Sequence, residues 1–117
     1  MCLVNKTITE TGNKMYQFVD KFRSLNNEIQ AQTMQTFLFV AMSTQREIPM
    51  QDMGKALGLS QASVSRNISF FNKINRHRKR GTGLLSTRED PQERRRKLVH
   101  VTNPGLKFFH ELEDIIK

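Results

Sequence analysis

The chain has 117 residues, with 19 Lys or Arg against 11 Asp or Glu, so its formal net charge at pH 7 is +8. This length suits one domain with a single modest core, and the charge favours a polyanionic partner: DNA, RNA or an anionic membrane surface. One cysteine excludes an internal disulfide and a cysteine zinc cluster, and the lack of a membrane-span or signal-peptide pattern predicts a cytoplasmic protein.

The first half of the chain predicts two helices. Residues 1–13 show little periodicity and are expected to form a loose arm before a helical stripe that starts at Lys14. A second helix is predicted from about Glu28 to Ser43, and it is apolar on most sides toward its end, as expected of a central buried helix. Ile48 is expected to add a short strand.

The stretch from Met50 to Ile74 predicts two short helices joined by a tight turn. Met53 and Leu57 lie four residues apart on one face of the first helix. Gly58 supplies the left-handed backbone that ends a helix, and Ser60 is a favourable N-cap for the next one. Two helices that meet across a short glycine turn are typical of a helix-turn-helix.

The second of these helices has two different faces. Val64, Ile68 and Phe71 recur at the spacing of one buried face. The opposite face carries short side chains, which let a helix approach base edges, and Arg66, which can reach a guanine or a phosphate. The residues of this segment predicted to contact DNA are Ser60, Gln61, Ala62, Ser63, Ser65, Arg66, Ser69 and Lys73.

A strongly basic block follows, in which nine basic and three acidic side chains between residues 76 and 97 give a net charge of +6. Leu84–Arg88 and Lys97–Thr102 are predicted strands, and EDPQERRR between them is a turn. A β-hairpin with a basic tip directly after a helix-turn-helix is the wing of a winged helix. The residues of this block predicted to contact DNA are Arg76, Arg78, Lys79, Arg80, Arg88, Arg94, Arg95 and Arg96.

A basic run is often only a solvated surface. At the wing tip, the position of the arginines between two strands favours a DNA role, because a narrow minor groove attracts arginine. For the cluster from Arg76 to Arg80, a phosphate contact and a solvated run fit the sequence equally well.

The last helix is predicted to start with Asn103 as N-cap and Pro104 in its first turn. Apolar faces on this helix and on the first one exceed what a small core has room for, and exposed patches of that size usually mark an interface. A twofold dimer is therefore expected. The residues predicted to form it are Met15, Phe18, Val19, Phe22, Phe108, Phe109, Leu112, Ile115 and Ile116.

Two stretches, MGKALGLSQASVSRNISFF and EDPQERRRKLVHVTNPG, together with the order of helices around them, resemble the MarR family of winged-helix transcription regulators over residues 48–117. The resemblance implies a homodimer on a palindromic operator, with the second helix of the helix-turn-helix in the major groove and the wing at the adjacent minor groove. The sequence departs from the family in a longer basic connection, NRHRKRGTG, and in having one C-terminal helix where members usually continue. A small-molecule effector in the family's cleft is therefore not favoured.

The expected fold is a single winged-helix domain, mainly α with a small β-hairpin and about five helices. Residues 14–43 and 103–117 would form core and dimerisation helices, and residues 48–102 the helix-turn-helix and wing. The expected function is that of a sequence-specific double-stranded DNA-binding regulator, acting as a repressor and located with the nucleoid in the cytoplasm. Two alternatives stay open: a plasmid or phage replication or partition initiator that binds repeated sites, and a basic nucleic-acid or protein binding module.

Other chemistry is weakly supported. The resemblance raises a redox switch at Cys2, but only Lys6 lies near it to lower the thiol pKa, which favours an inert exposed thiol. His77, His100 and His110 lack metal-ligand spacing. No nucleophile elbow, phosphate loop or carboxylate pair is apparent, so no enzyme, cofactor or metal is expected.

Overall fold

The computed structural model describes residues 9–74 and 79–117. The elements in chain order are α1 (Glu10–Arg23), α2 (Ala31–Met42), β1 (Ile48–Pro49), α3 (Met50–Leu57), α4 (Gln61–Phe71), β2 (Leu85–Glu89), β3 (Lys97–Val101) and α5 (Asn103–Ile116). The strands form one antiparallel sheet in the order β1-β3-β2. Within these two ranges, five helices and a small sheet in this order confirm the predicted winged helix. The predictions for Cys2, Arg76 and Arg78 lie outside the described residues.

A cluster of phenylalanine rings joins four helices. The ring of Phe37 on α2 lies 6.1 Å from Phe22 of α1, 5.4 Å from Phe71 of α4 and 5.6 Å from Phe108 of α5, measured between centroids. Most of these pairs are edge-to-face, the arrangement that aromatic quadrupoles favour. α2 is therefore the central buried helix, as its composition predicts.

The first helix begins earlier than its apolar stripe indicates. The Thr9 side chain accepts a hydrogen bond from the Gly12 amide at 3.0 Å, and Glu10 occupies the first turn, where a negative charge favours the helix dipole. Residues 10–13 are thus helical rather than part of a loose arm. α2 starts at Ala31, later than predicted, because the Asn26 side chain caps a turn by accepting from the Glu28 amide.

Three residues predicted to form a dimer interface instead lie inside the core of the chain: Phe22, Phe108 and Leu112. The reason is that α1 and α5 pack against each other, which brings the rings of Phe22 and Phe108 to 5.6 Å. The two apolar faces are therefore divided between the core and the surface. The exposed part includes Met15, Val19 and Ile116.

The cap of the last helix is Thr102 rather than Asn103. The Thr102 hydroxyl accepts from the Gly105 amide at 3.0 Å and donates to the Gly83 carbonyl at 2.7 Å. Gly105 has no room for a side chain, since a Cβ there would lie 2.0 Å from the Leu84 carbonyl oxygen. One threonine therefore ends β3, starts α5 and holds both against the segment that leads into β2.

Burial of the inner face of α4 predicts the effect of a charge there. Val64 is 0% exposed, so Val64→Asp would place an unpaired carboxylate in the core at a cost of several kcal/mol. We expect this variant to be unfolded or insoluble, as judged by far-UV circular dichroism. Ser65→Asp, one residue along on the exposed face, is the matched control and should remain helical. A fully helical, soluble Val64→Asp protein would contradict the packing of α4.

Candidate nucleic-acid interface

The turn between α3 and α4 has the geometry that the sequence predicts. Gly58 has φ +70°, in the left-handed region, and the Leu59 amide donates to the Gly54 carbonyl at 2.8 Å. The Ser60 hydroxyl accepts from the Ser63 amide at 3.1 Å and so caps α4. Gly54 is required by the close approach of the chain, because a Cβ there would lie 2.9 Å from the Leu59 carbonyl oxygen.

Gln61 joins the two helices of the helix-turn-helix. Its side-chain nitrogen Nε2 donates to the Gln51 carbonyl at 2.9 Å. The residue was predicted to contact DNA, and in the structure its amide group holds the first turn of α4 against the first turn of α3. A DNA contact by Gln61 stays a prediction.

The outer face of α4 is polar and sterically open. Ala62, Ser65 and Arg66 are exposed, and Ser63 is half-buried. The Arg66 guanidinium donates to the Ser63 hydroxyl at 3.1 Å, so the arginine lies along the helix surface toward its N-terminal end. Ser60 is exposed at the cap, and Ser69 is half-buried near the C-terminal end.

The predicted position of Lys73 on this face is wrong. α4 ends at Phe71, with Asn72 as an extended C-cap. Lys73 belongs to the segment that follows, where its carbonyl accepts from the Gly81 amide at 2.7 Å and Ile74 pairs with Arg80 in an isolated bridge. Lys79 and Arg80 are exposed beside this bridge, close in space to the end of α4.

The wing turn between β2 and β3 is held by backbone and side-chain contacts among its own residues. The Asp90 amide donates to the Arg96 carbonyl at 2.8 Å, and the Arg96 amide donates to the Glu93 carbonyl at 2.9 Å. The Asp90 carboxylate accepts from the Gln92 amide at 2.9 Å and lies 3.5 Å from the Arg96 guanidinium. Arg96 therefore stabilises the turn, whereas Arg94 and Arg95 are exposed at its tip.

Arg88 forms an ion pair rather than projecting freely from the wing. Its Nε and Nη2 atoms donate to the two carboxylate oxygens of Glu47 at 2.5 and 2.7 Å. This hydrogen bonding from Arg88 lowers the pKa of Glu47 below its usual 4.5 and raises the pKa of the guanidinium. Because Glu47 immediately precedes β1, the pair links the two outer strands across β3. A DNA contact by Arg88 stays a prediction.

The wing and α4 border one groove. It has a volume of about 250 Å³, with Gln61 and Ser65 of α4 on one side and wing residues, including Arg95, on the other. A second groove of about 210 Å³ continues along α4, between Ser69 and the strands of the wing. The structure thus brings together two groups of residues that the sequence predicted separately.

Three structurally important residues were not singled out from the sequence. Asn67 is a buried polar residue of α4. The sequence indicates it only as an amide side chain that adjoins the buried face of this helix. Glu47 is paired with Arg88, 41 residues away, and no local pattern indicates such a partner. Asp90 holds the wing turn; its place before a proline is a recognisable turn signal.

Other kinds of site receive no support from residues 9–74 and 79–117. Within those ranges, no helix is long and apolar enough to cross a membrane. In the same residues, no three His, Cys, Asp or Glu side chains converge as metal ligands.

Comparison with known proteins gives structural but not sequence matches. No family model and no curated protein sequence matches the chain. The complex of MepR from S. aureus with DNA has a TM-score of 0.69 at 22% identity, covering 88% of this chain and 76% of that one. A second structure of MepR, described as a transcription regulator of the S. aureus multidrug efflux pump MepA, has a TM-score of 0.65 at 19% identity. This match covers 89% of this chain and 68% of that one. The transcriptional regulator PcaV from Streptomyces coelicolor, in complex with its natural ligand, has a TM-score of 0.61 at 18% identity. This match covers 89% of this chain and 67% of that one.

Both neighbours are MarR-family winged-helix transcription regulators. The chain therefore has the winged-helix fold of that family, and the resemblance that the sequence motifs indicate is confirmed at the level of fold. At this identity the likeness concerns the fold alone, and function has to be argued from the site.

The Arg88–Glu47 pair predicts a pH-dependent contribution to stability. Because the folded pKa of Glu47 is lowered from 4.5, the pair stabilises the fold fully above about pH 4.5 and loses this effect as the pH falls through the lowered value. Glu47→Gln should therefore reduce the urea midpoint at neutral pH, and its difference from wild type should shrink at a pH below the lowered pKa of Glu47. Glu93→Gln, at an exposed position of the wing tip, is the control and should leave the midpoint unchanged. An equal loss in Glu47→Gln at both pH values would show that the carboxylate charge is not involved.

Proposed function

We propose that this chain is a sequence-specific double-stranded DNA-binding transcription regulator that acts as a homodimer, with repression of transcription as its mode of action. The observation that carries the proposal is the groove shared by α4 and the wing. It places the small, polar face of one helix and the basic tip of a β-hairpin on one surface. Such a protein would act on DNA in the cytoplasm, bound to the nucleoid, and would not be an enzyme.

The dimensions of α4 suit the major groove. Its 11 residues make a rod about 16 Å long, and the major groove, about 12 Å wide, admits a helix. Ala62 and Ser65 allow close approach to base edges, while Arg66 has the length and the paired donors to reach the O6 and N7 atoms of a guanine. The exposed Arg94 and Arg95 would then lie at the flanking minor groove, where negative potential is enhanced when the groove is narrow.

Of the remaining basic residues, some suit contacts with DNA phosphates and others form ion pairs within the protein. Exposed Lys79 and Arg80 lie near the end of α4 and suit phosphate contacts. The ion pairs of Arg88 and Arg96 with carboxylates support the shape of the wing instead. We therefore assign DNA contacts of the wing to Arg94 and Arg95 in the first place.

The structural neighbours support this proposal by analogy. MepR has been solved in complex with DNA, and PcaV is described as a transcriptional regulator. By analogy, α1, α2 and α5 of this chain would form the core and the dimer interface, and residues 48–102 would bind DNA.

Exposed apolar side chains on α1 and α5 support the dimer. Met15 and Val19 on α1 are 61% and 45% exposed, and Ile116 on α5 is 54% exposed. A twofold axis beside these helices would cover the patch in both subunits. It would also allow two α4 helices to lie about 34 Å apart, which is one turn of DNA.

Selection from a pool of duplexes with about 30 random base pairs, enough for two half-sites, tests the proposed function. We expect wild-type protein to enrich an inverted repeat whose half-sites are about 10 base pairs apart. Enrichment of tandem direct repeats would instead favour a replication or partition initiator. A pool that is retained without any enrichment would contradict sequence-specific regulation and favour a general nucleic-acid binding module.

Arg66 is expected to carry base discrimination. Arg66→Ala should reduce the preference for the selected duplex over random duplex by about 1–3 kcal/mol, because it removes a bidentate base contact. Arg80→Ala is the matched control, and it should weaken binding to both duplexes alike. Fluorescence anisotropy at one fixed salt concentration measures the six affinities of wild type and the two variants for the two duplexes. Equal losses on both duplexes from Arg66→Ala would reassign this residue to phosphate binding.

The dimer interface is tested on α1. Val19→Asp should convert a dimer into a monomer at micromolar concentration, because it places a charge in a desolvated apolar patch. Gln17→Asp, on the opposite face of the same helix, should leave the dimer intact. Sedimentation equilibrium gives the mass of each variant, and a monomeric wild-type protein would refute the homodimer.

A further inference from the structure

The recognition helix α4 carries a buried amide on its inner face. Asn67 is 7% exposed and lies beside the fully buried Val64 and Phe71. An amide in such a place costs free energy unless its polar atoms are hydrogen-bonded. An apolar side chain would suit the position if packing were all that mattered.

The amide is held by two threonines that lie three residues apart on α2. The Thr33 hydroxyl donates to the Asn67 Oδ1 atom at 3.0 Å, and the Asn67 Nδ2 atom donates to the Thr36 hydroxyl at 3.3 Å. The Thr36 hydroxyl in turn donates to the Gln32 carbonyl at 2.8 Å. Because that proton is committed to Gln32, the Thr36 oxygen accepts from the amide, and the amide fits in only one orientation.

These bonds supply a directional constraint that apolar packing lacks. The Phe37 and Phe71 rings of the same two helices lie 5.4 Å apart, and hydrophobic burial of this kind is non-directional. A rotation of α4 by about 20° moves atoms at its surface, 5–6 Å from the axis, by about 2 Å. Hydrogen bonds to base edges tolerate only a few tenths of an ångström. A rotation of α4 by this amount would therefore disable base contacts.

We propose that Asn67 is a positioning residue, which sets the rotation and axial register of α4 on α2 and thereby determines how well the exposed face discriminates between DNA sequences. Its neighbour Arg66 and the residue one turn earlier, Ser63, belong to that face, so their placement depends directly on the bonds of Asn67. In coiled coils, a single buried polar side chain likewise fixes the register of an otherwise apolar helix interface. The inference rests on the proposed DNA-binding function.

The test separates positioning from stability with two variants. Asn67→Leu removes the directional bonds but leaves the Thr33 hydroxyl buried without its partner, so this variant is expected to lose stability as well. The double variant Asn67→Leu, Thr33→Val replaces both partners of the Thr33–Asn67 hydrogen bond by apolar groups of similar shape, which can restore stability. Ile68→Val, a truncation on the same buried face that leaves the amide untouched, is the control for destabilisation alone.

Each protein is assayed for its urea midpoint and for its affinity toward the duplex selected by wild type and a random duplex of equal length. We expect the preference for the selected duplex to fall about tenfold, the size of one weakened bidentate base contact, in both Asn67 variants. Affinity for random duplex should change by less than about twofold, because phosphate contacts carry no sequence information. Ile68→Val should lower the midpoint and keep the preference.

A return of the wild-type preference in the Asn67→Leu, Thr33→Val protein would overturn the inference, since stability alone would then explain the loss. Retention of the preference by Asn67→Leu itself would overturn it too. Failure of the wild-type protein to select any duplex is a different result, because it refutes the proposed function and the inference together.

Discussion

The packing of α4 against α2 is the contact on which the rest of the structure depends. The Phe37 ring of α2 meets Phe71 of α4, and it also meets a ring from each of α1 and α5. Burial of one face of α4 in this cluster decides which face is left for an outside partner. The same cluster anchors α1 and α5, so one core fixes both the exposed face of α4 and the exposed apolar patch of α1 and α5.

The basic residues of the chain have different roles. Net charge indicates the class of partner, but it does not say which side chains touch that partner. In the wing, Arg88 and Arg96 are paired with Glu47 and Asp90, and they hold strands and turn in place. Arg94, between them in sequence, is exposed at the tip. Glu47 and Asp90 thus stabilise the part of the wing on which Arg94 is exposed.

Local signals predicted the helix-turn-helix well, because each one acts within a few residues. Gly58 ends a helix through its own backbone, Ser60 caps the next through an amide three residues on, and the spacing of Val64 fixes the buried face. Pairings between distant residues were not predictable in this way. The bonds from Asn67 to α2 span 31 and 34 residues, and the Glu47 ion pair spans 41. The packing of α1 on α5, which takes Phe22 into the core, is a tertiary effect of the same kind.

We propose that the outer face of α4 and the tip of the wing form one DNA-binding surface. Mapping of backbone amide chemical shifts by NMR, during titration with the duplex selected by the wild-type protein, tests it most directly. We expect the largest changes to fall together on residues 60–66 and 93–96, at one common stoichiometry, while the buried Phe37 changes little. Changes confined to the wing, or centred on α1 and α5 with residues 60–66 unaffected, would contradict it.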